Sequence, residues 1–151
     1  MQLVVLGLNH KTVPVDIREQ FAISPDSARS GLIHLDEQEG IEEAVVLSTC
    51  NRTEIYAVLK DETAKETLYD FFLALSGNSE AKDEYFFYFE GEACIRHLFE
   101  VVSGLDSMVI GESQILNQIK TAYTMALEEK ATRTILNTLF HRAIRTGKRV
   151  R

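Results

Sequence analysis

Glu43-Ala44-Val45-Val46-Leu47-Ser48-Thr49-Cys50-Asn51-Arg52-Thr53-Glu54-Ile55-Tyr56-Ala57-Val58-Leu59 is the stretch on which the fold turns. Two apolar-rich runs, 43–47 and 54–59, flank six small or polar residues, 48–53. Runs of this length and composition, bounded by polar residues, read as strands. Residues 48–53 therefore lie at or near a connection between two strands, where a loop presents its side chains while the sheet holds its ends still.

Working outward, 2–8 is a further β-branched run, stopped by Asn9-His10-Lys11-Thr12 and Pro14. Helical patterns follow at 15–22 and, after the Ser24-Pro25 start signal, at 26–39, which Gly40 ends. Beyond the central pair, 60–76 is amphipathic, with Leu68, Phe71, Phe72 and Leu75 on one face, and Gly77-Asn78 closes it. The aromatic run 85–89 reads as a fourth strand, and 92–102 as a helix leading to Ser103-Gly104. The order β-α-α-β-β-α-β-α predicts an α+β fold, a ferredoxin-like sandwich with a four-stranded, mostly antiparallel sheet. From Gly111 the chain reads as helix, with one stripe of Ile115, Ile119, Ala122 and Ala126 and a second of Ile135, Leu139 and Ala143 beside Leu136, Phe140 and Ile144. The last stripe runs to Val150-Arg151 without a cap, so the expectation is a domain over 1–131 followed, over 132–151, by the start of a longer helix.

At 151 residues the chain is long enough to bury a core, and with 45% apolar and 26% charged residues it matches ordinary globular composition. No apolar run approaches the roughly 18 residues of a spanning helix, and the first residues lack the charged start and cleavage site of a signal peptide. The expected compartment is the cytoplasm, with Cys50 and Cys94 as free thiols. Residues 131–151 hold six basic residues, Arg133, Arg142, Arg145, Lys148, Arg149 and Arg151, and no acid. The other 130 residues hold the remaining 10 bases against all 23 acids, a net charge of −13 within a total of −7. An acidic body argues against a broad, sequence-independent grip on nucleic acid.

Cys50 lies two positions before Arg52, and a nearby cation favours the nucleophilic thiolate. Its other reading is a small buried hydrophobe at a strand end. Arg52 also has two readings, a surface arginine paired with Glu54 or a planar fork aimed at a substrate carboxylate. His97, among Ile95, Leu98 and Phe99, is a core histidine or the titratable partner of a thiol. Residues 104–114 set Asp106, Ser107, Glu112, Ser113 and Gln114 around two apolar pairs, as a loop and helix cap or as a polar pocket wall that Gln118 extends by one turn. No cysteine or histidine spacing typical of a metal site occurs.

Three stretches, taken together, resemble glutamyl-tRNA reductase. They are Gly7-Leu8-Asn9-His10-Lys11-Thr12-Val13-Pro14-Val15-Asp16-Ile17-Arg18-Glu19, then Leu47-Ser48-Thr49-Cys50-Asn51-Arg52-Thr53-Glu54-Ile55-Tyr56, then His97-Leu98-Phe99 with Ser103-Gly104-Leu105-Asp106-Ser107 through Gln118. They occur in the family's order and nearly fill the chain. The resemblance implies NADPH-dependent reduction of glutamyl-tRNA to glutamate 1-semialdehyde, the first committed step of tetrapyrrole and 5-aminolevulinate synthesis. It implies that Cys50 is the nucleophile, taking the glutamyl group as a thioester, and that His97 is important for activity. By the same match Thr49, Asn51, Arg52, Ser107, Glu112, Ser113, Gln114 and Gln118 line the glutamate pocket; of these Arg52 is the choice for the substrate carboxylate, where a bidentate pair gives both charge neutralisation and orientation.

Such reductases continue into an NADPH-binding domain and a helical dimerisation domain, through which they form homodimers, and the aminotransferase that consumes the semialdehyde is a further expected partner. Neither domain is matched here, and no Gly-x-Gly-x-x-Gly follows a strand. The helix from about Thr132 matches the start of the family's spinal helix. The expectation is a domain that starts the reaction without reducing, and at most hydrolyses the ester. Two other classes remain at this stage, a tRNA- or protein-binding module and a simple thiol hydrolase.

Overall fold

The computed structural model describes residues 1–105 and 114–150. Its elements are β1 (Gln2–Asn9), α1 (Val15–Gln20), α2 (Pro25–Ile33), β2 (Ile41–Ser48), β3 (Arg52–Leu59), α3 (Lys65–Ser76), β4 (Phe87–Glu90), α4 (Glu92–Val102), α5 (Gln114–Glu128) and α6 (Thr134–Arg149). The sheet order is β2-β3-β1-β4, and every neighbouring pair is antiparallel. This is the ferredoxin-like arrangement, with two βαβ units interleaved so that β1 and β3 form the centre.

Directly paired residues share a face of the sheet, so the register sorts the core. Val5 pairs with Tyr56, Gly7 with Glu54 and Asn9 with Arg52. On the other side of β1, Gly7 pairs with Phe87 and Val5 with Phe89. That face is covered by α4 and α6: Tyr56 meets Phe140 of α6 edge-on, with ring centroids 5.4 Å apart, and Phe87 and Phe89 pack on His97 of α4. The opposite face carries Leu6, Leu8, Ile55 and Ala57, all buried, and Phe86 closes that layer against Phe21, Tyr69 and Phe72. Packed along β2 is α5.

Several boundaries differ from expectation for local reasons. α2 ends at Ile33 rather than Glu39, because the His34 backbone leaves helical geometry and its Nδ1 lies 2.9 Å from the Ser30 carbonyl; 35–37 form a 3-10 turn. α3 starts at Lys65 rather than Lys60, since Asp61 caps a separate 3-10 turn by accepting from the Thr63 N–H at 3.0 Å. Tyr85 belongs to another such turn, and β4 begins only where the chain comes opposite Gly7. The β2–β3 connection is shorter than the polar stretch 48–53: Arg52 and Thr53 belong to the strand, which leaves three turn residues, Thr49, Cys50 and Asn51.

α6 is positioned by β2. Its N-cap residue, Arg133, makes no side-chain cap. Instead the carboxylate of Glu43, 3% exposed, accepts from the Arg133 N–H at 2.6 Å and the Leu136 N–H at 3.0 Å. A carboxylate at this end also meets the positive pole of the helix. The Ala44 N–H donates to the Ala131 carbonyl at 2.9 Å beside it. α6 then buries Leu136, Phe140 and Ala143 and leaves Arg142, Arg145, Lys148 and Arg149 exposed. None of the described helices is long and apolar enough to cross a membrane.

Candidate functional site

The β2–β3 turn is built to hold one side chain outward. The Thr49 N–H donates to the Arg52 carbonyl at 2.8 Å, and the Asn51 N–H donates to Thr49 Oγ1 at 3.1 Å, which closes the turn around Cys50. Cys50 is exposed and carries a free thiol. The base of the turn is tied to the α1–α2 connection, where the Ile23 N–H donates to Ser48 Oγ at 3.0 Å. From the other direction comes Arg18, a buried arginine of α1: its Nε donates to the Cys50 carbonyl at 3.3 Å and its Nη1 to the Val13 carbonyl at 3.0 Å. One guanidinium thus couples the β1–α1 turn to the backbone of the cysteine.

Below the turn, β3 carries polar side chains at alternate positions on its inner face. Arg52 is 1% exposed and Glu54 is fully buried. Glu54 Oε2 accepts from Arg52 Nη1 at 3.0 Å and lies 2.7 Å from His97 Nε2, while Glu54 Oε1 accepts from the Tyr56 hydroxyl at 2.7 Å. Burial raises the carboxyl's pKa. The His97 hydrogen bond and charge, the Arg52 charge and the Tyr56 hydroxyl outweigh that and hold it below its usual value. Burial, and then Glu54, push the Tyr56 phenol well above its ordinary range. Gly7 leaves room for this arrangement: a Cβ there would lie 2.8 Å from the Thr53 carbonyl and 2.9 Å from both Glu54 Cγ and Phe87 Cζ.

His97 is 6% exposed on α4, with its ring tilted against Phe87 and Phe89 at 4.9 and 5.3 Å and stacked near Tyr56 at 6.5 Å. It lines a cavity of about 280 Å³ with Lys11, Phe87, Phe89, Arg96 and Glu100. Ser48 and Gln118 share the wall of another cavity of about 280 Å³. The other thiol is no alternative nucleophile: Cys94 is buried, and burial together with Glu54 pushes its pKa up to about 12.

The residues singled out from the sequence are thus distributed in three places. Thr49, Cys50 and Asn51 form the turn, and Gln118 of α5 shares a cavity wall with Ser48, the last residue of β2. Arg52 and His97 meet through Glu54. Arg52 does pair with Glu54, but inside the protein rather than at its surface, and His97 Nε2 is hydrogen-bonded to the same carboxylate. Gln114 is exposed at the start of α5, and Ser107, Glu112 and Ser113 fall outside the described residues. Sequence reasoning missed two members. Glu54 was betrayed by its alternation with Arg52 and Tyr56 on an otherwise apolar strand; Arg18 carried no local signal. Among the described residues no group of three or more His, Cys, Asp or Glu side chains is placed to hold a metal ion.

Fold and site together define a small α+β domain that displays a free thiol on a three-residue turn above a buried network of charged side chains. The family model described as Glutamyl-tRNAGlu reductase, N-terminal domain, matches residues 6–151. The chain belongs to that family. It is 47% identical over its whole length to a glutamyl-tRNA reductase of Rubrobacter xylanophilus and 46% identical to one of Pelobacter propionicus, and it spans about a third, 35%, of each. Among solved structures it matches the glutamyl-tRNA reductase from Methanopyrus kandleri with a TM-score of 0.80 and 34% identity, over 98% of this chain and 34% of that one.

Proposed function

We propose that this chain is the part of an NADPH-dependent glutamyl-tRNA reductase that captures the glutamyl group, with Cys50 as its nucleophile. The supporting observation is the exposed thiol on a turn whose backbone is fixed by Arg18 and by its own closing hydrogen bonds. An aminoacyl ester is already activated. The thiol gives up its proton, a bond forms between sulfur and the acyl carbon, and the bond from that carbon to the ribose oxygen of the tRNA breaks, with the ribose oxygen taking up a proton. His97 is the group assigned to proton transfer or orientation near this centre, since imidazole titrates close to neutral pH. Arg52 is assigned to the substrate's carboxylate, with Thr49, Asn51, Ser107, Glu112, Ser113, Gln114 and Gln118 completing the pocket.

In the whole protein a nicotinamide cofactor would supply the hydride that reduces the thioester, and glutamate 1-semialdehyde for tetrapyrrole synthesis would be the product. The residues present do not fit that cofactor. The described sheet is antiparallel throughout, and no described strand is followed by the glycine-rich turn that opens a dinucleotide fold. No hydride step is therefore derived from these residues, and this chain alone is expected at most to hydrolyse the ester. Homodimerisation, handover to the aminotransferase and a cytoplasmic setting belong to the same reading of the whole protein.

The test is capture of the intermediate. Incubated with glutamyl-tRNA and quenched in acid, the chain should carry one glutamyl group on Cys50 by mass spectrometry, and Cys50→Ser should carry none. A normal adduct on the serine variant would place the nucleophile elsewhere.

A further inference from the structure

Glu54 sits behind His97 and has no step of its own in the scheme above, yet it holds both groups that do, His97 and Arg52. A carboxylate has no hydrogen to give, so each of its three neighbours must donate to it: Tyr56 to Oε1, and Arg52 and His97 to Oε2. The Arg52 guanidinium, 3.0 Å from Oε2, keeps the buried carboxyl ionised.

From this geometry we propose that Glu54 is a positioning residue: when His97 is in its neutral form, Glu54 holds it as the tautomer with hydrogen on Nε2, leaving the Nδ1 lone pair as the proton acceptor of the site. The catalytic consequence rests on the reading of His97 as the group that moves the proton; the tautomer does not. A histidine fixed by a buried carboxylate loses little orientation freedom when it acts, and the nitrogen that works is the one the carboxylate does not hold. The phenyl rings of Phe87 and Phe89 hold the plane of the imidazole, and Glu54 holds its rotation within that plane.

The experiment reads tautomer and rate separately. In long-range ¹H–¹⁵N spectra of the ¹⁵N-labelled chain, with the His97 signals assigned by their loss in His97→Asn, Nε2 should be pyrrole-like and Nδ1 pyridine-like. In Glu54→Gln, whose amide can donate as well as accept, both signals should move toward averaged values. Single-turnover acylation of Cys50 by saturating glutamyl-tRNA should slow roughly 100-fold, the low end for a displaced acid–base group, while the half-saturating concentration stays the same. Tyr56→Phe, which removes only the bond to Oε1, should keep the tautomer. If Glu54→Gln does not fold, Glu54→Asp keeps the charge, withdraws the oxygens by about 1.5 Å, and should weaken the same preference.

A wild-type spectrum with hydrogen on Nδ1 overturns the proposal. So does an unchanged spectrum in Glu54→Gln, and so does a shifted spectrum with an unchanged acylation rate. Absence of any Cys50 adduct in the wild-type chain would instead overturn the nucleophile reading, with the tautomer still decided by the spectra.

Discussion

Truncating Glu43 tests the link between the sheet and α6. In Glu43→Ala, two backbone N–H groups of the first helical turn lose a charged acceptor held at 2.6 and 3.0 Å. The two positions differ in what replaces it. Arg133 is exposed, so water can reach its N–H, whereas Leu136 is buried and its N–H is left without a partner. Hydrogen bonds to a charged group contribute about 1.5–3 kcal/mol each, and rehydration at Arg133 offsets part of one. Loss of the carboxylate at the positive end of the helix adds about 0.5 kcal/mol. The expected cost is about 3 kcal/mol, which for a domain of this size lowers Tm by about 6–12 °C. Glu43→Gln keeps an acceptor and loses the charge, so about 1 kcal/mol is expected. Neighbouring Glu42, whose only described ion pair is a 4.0 Å contact with exposed Arg133, serves as the control; Glu42→Ala should cost under about 0.5 kcal/mol. The assay is urea and thermal unfolding followed by circular dichroism. A loss below about 1 kcal/mol in Glu43→Ala, or equal losses in the alanine and glutamine variants, would refute the capping argument.

Two further predictions concern the site. A disulfide reagent should label Cys50 rapidly and Cys94 only after unfolding, since the first is exposed and the second is a buried thiol with its pKa at about 12; two fast thiols in the native protein would contradict this. Gly7→Ala should destabilise the chain by about 1–3 kcal/mol in the same unfolding assay, because the added methyl meets Thr53 backbone, Glu54 and Phe87 inside 3 Å, and a neutral result would mean the sheet relaxes there freely.

The strands were legible because their runs are short, apolar and bounded by turn residues, and the sheet order followed from the element order. Helix ends were less so: the caps at His34 and Asp61 are single-residue events inside segments whose composition favours helix on both sides. Cys50 could be placed on a turn from the sequence, but its exposure depends on where the turn narrows, and that is fixed by hydrogen bonds among Thr49, Asn51 and Arg52. The Glu54 network joins β3 to α4 across 43 residues of chain. Arg18 reaches the Cys50 carbonyl across 32. A linear reading has no access to such pairs, and Glu43 as the cap of a helix 90 residues away belongs to the same category.

The alternation of Arg52, Glu54 and Tyr56 has a consequence for how this site can vary. A two-residue period is a property of the strand itself, so the spacing of these groups is set by the backbone and not by the side chains. Removing or adding one residue in the turn would exchange the two faces of β3, sending the charged row into the layer of Phe86 and Phe72 and bringing Thr53 and Ile55 under α4. The turn can thus tolerate exchanges of residue type far better than changes of length, and the sheet acts as the ruler against which the distance from the thiol to its supporting charges is kept.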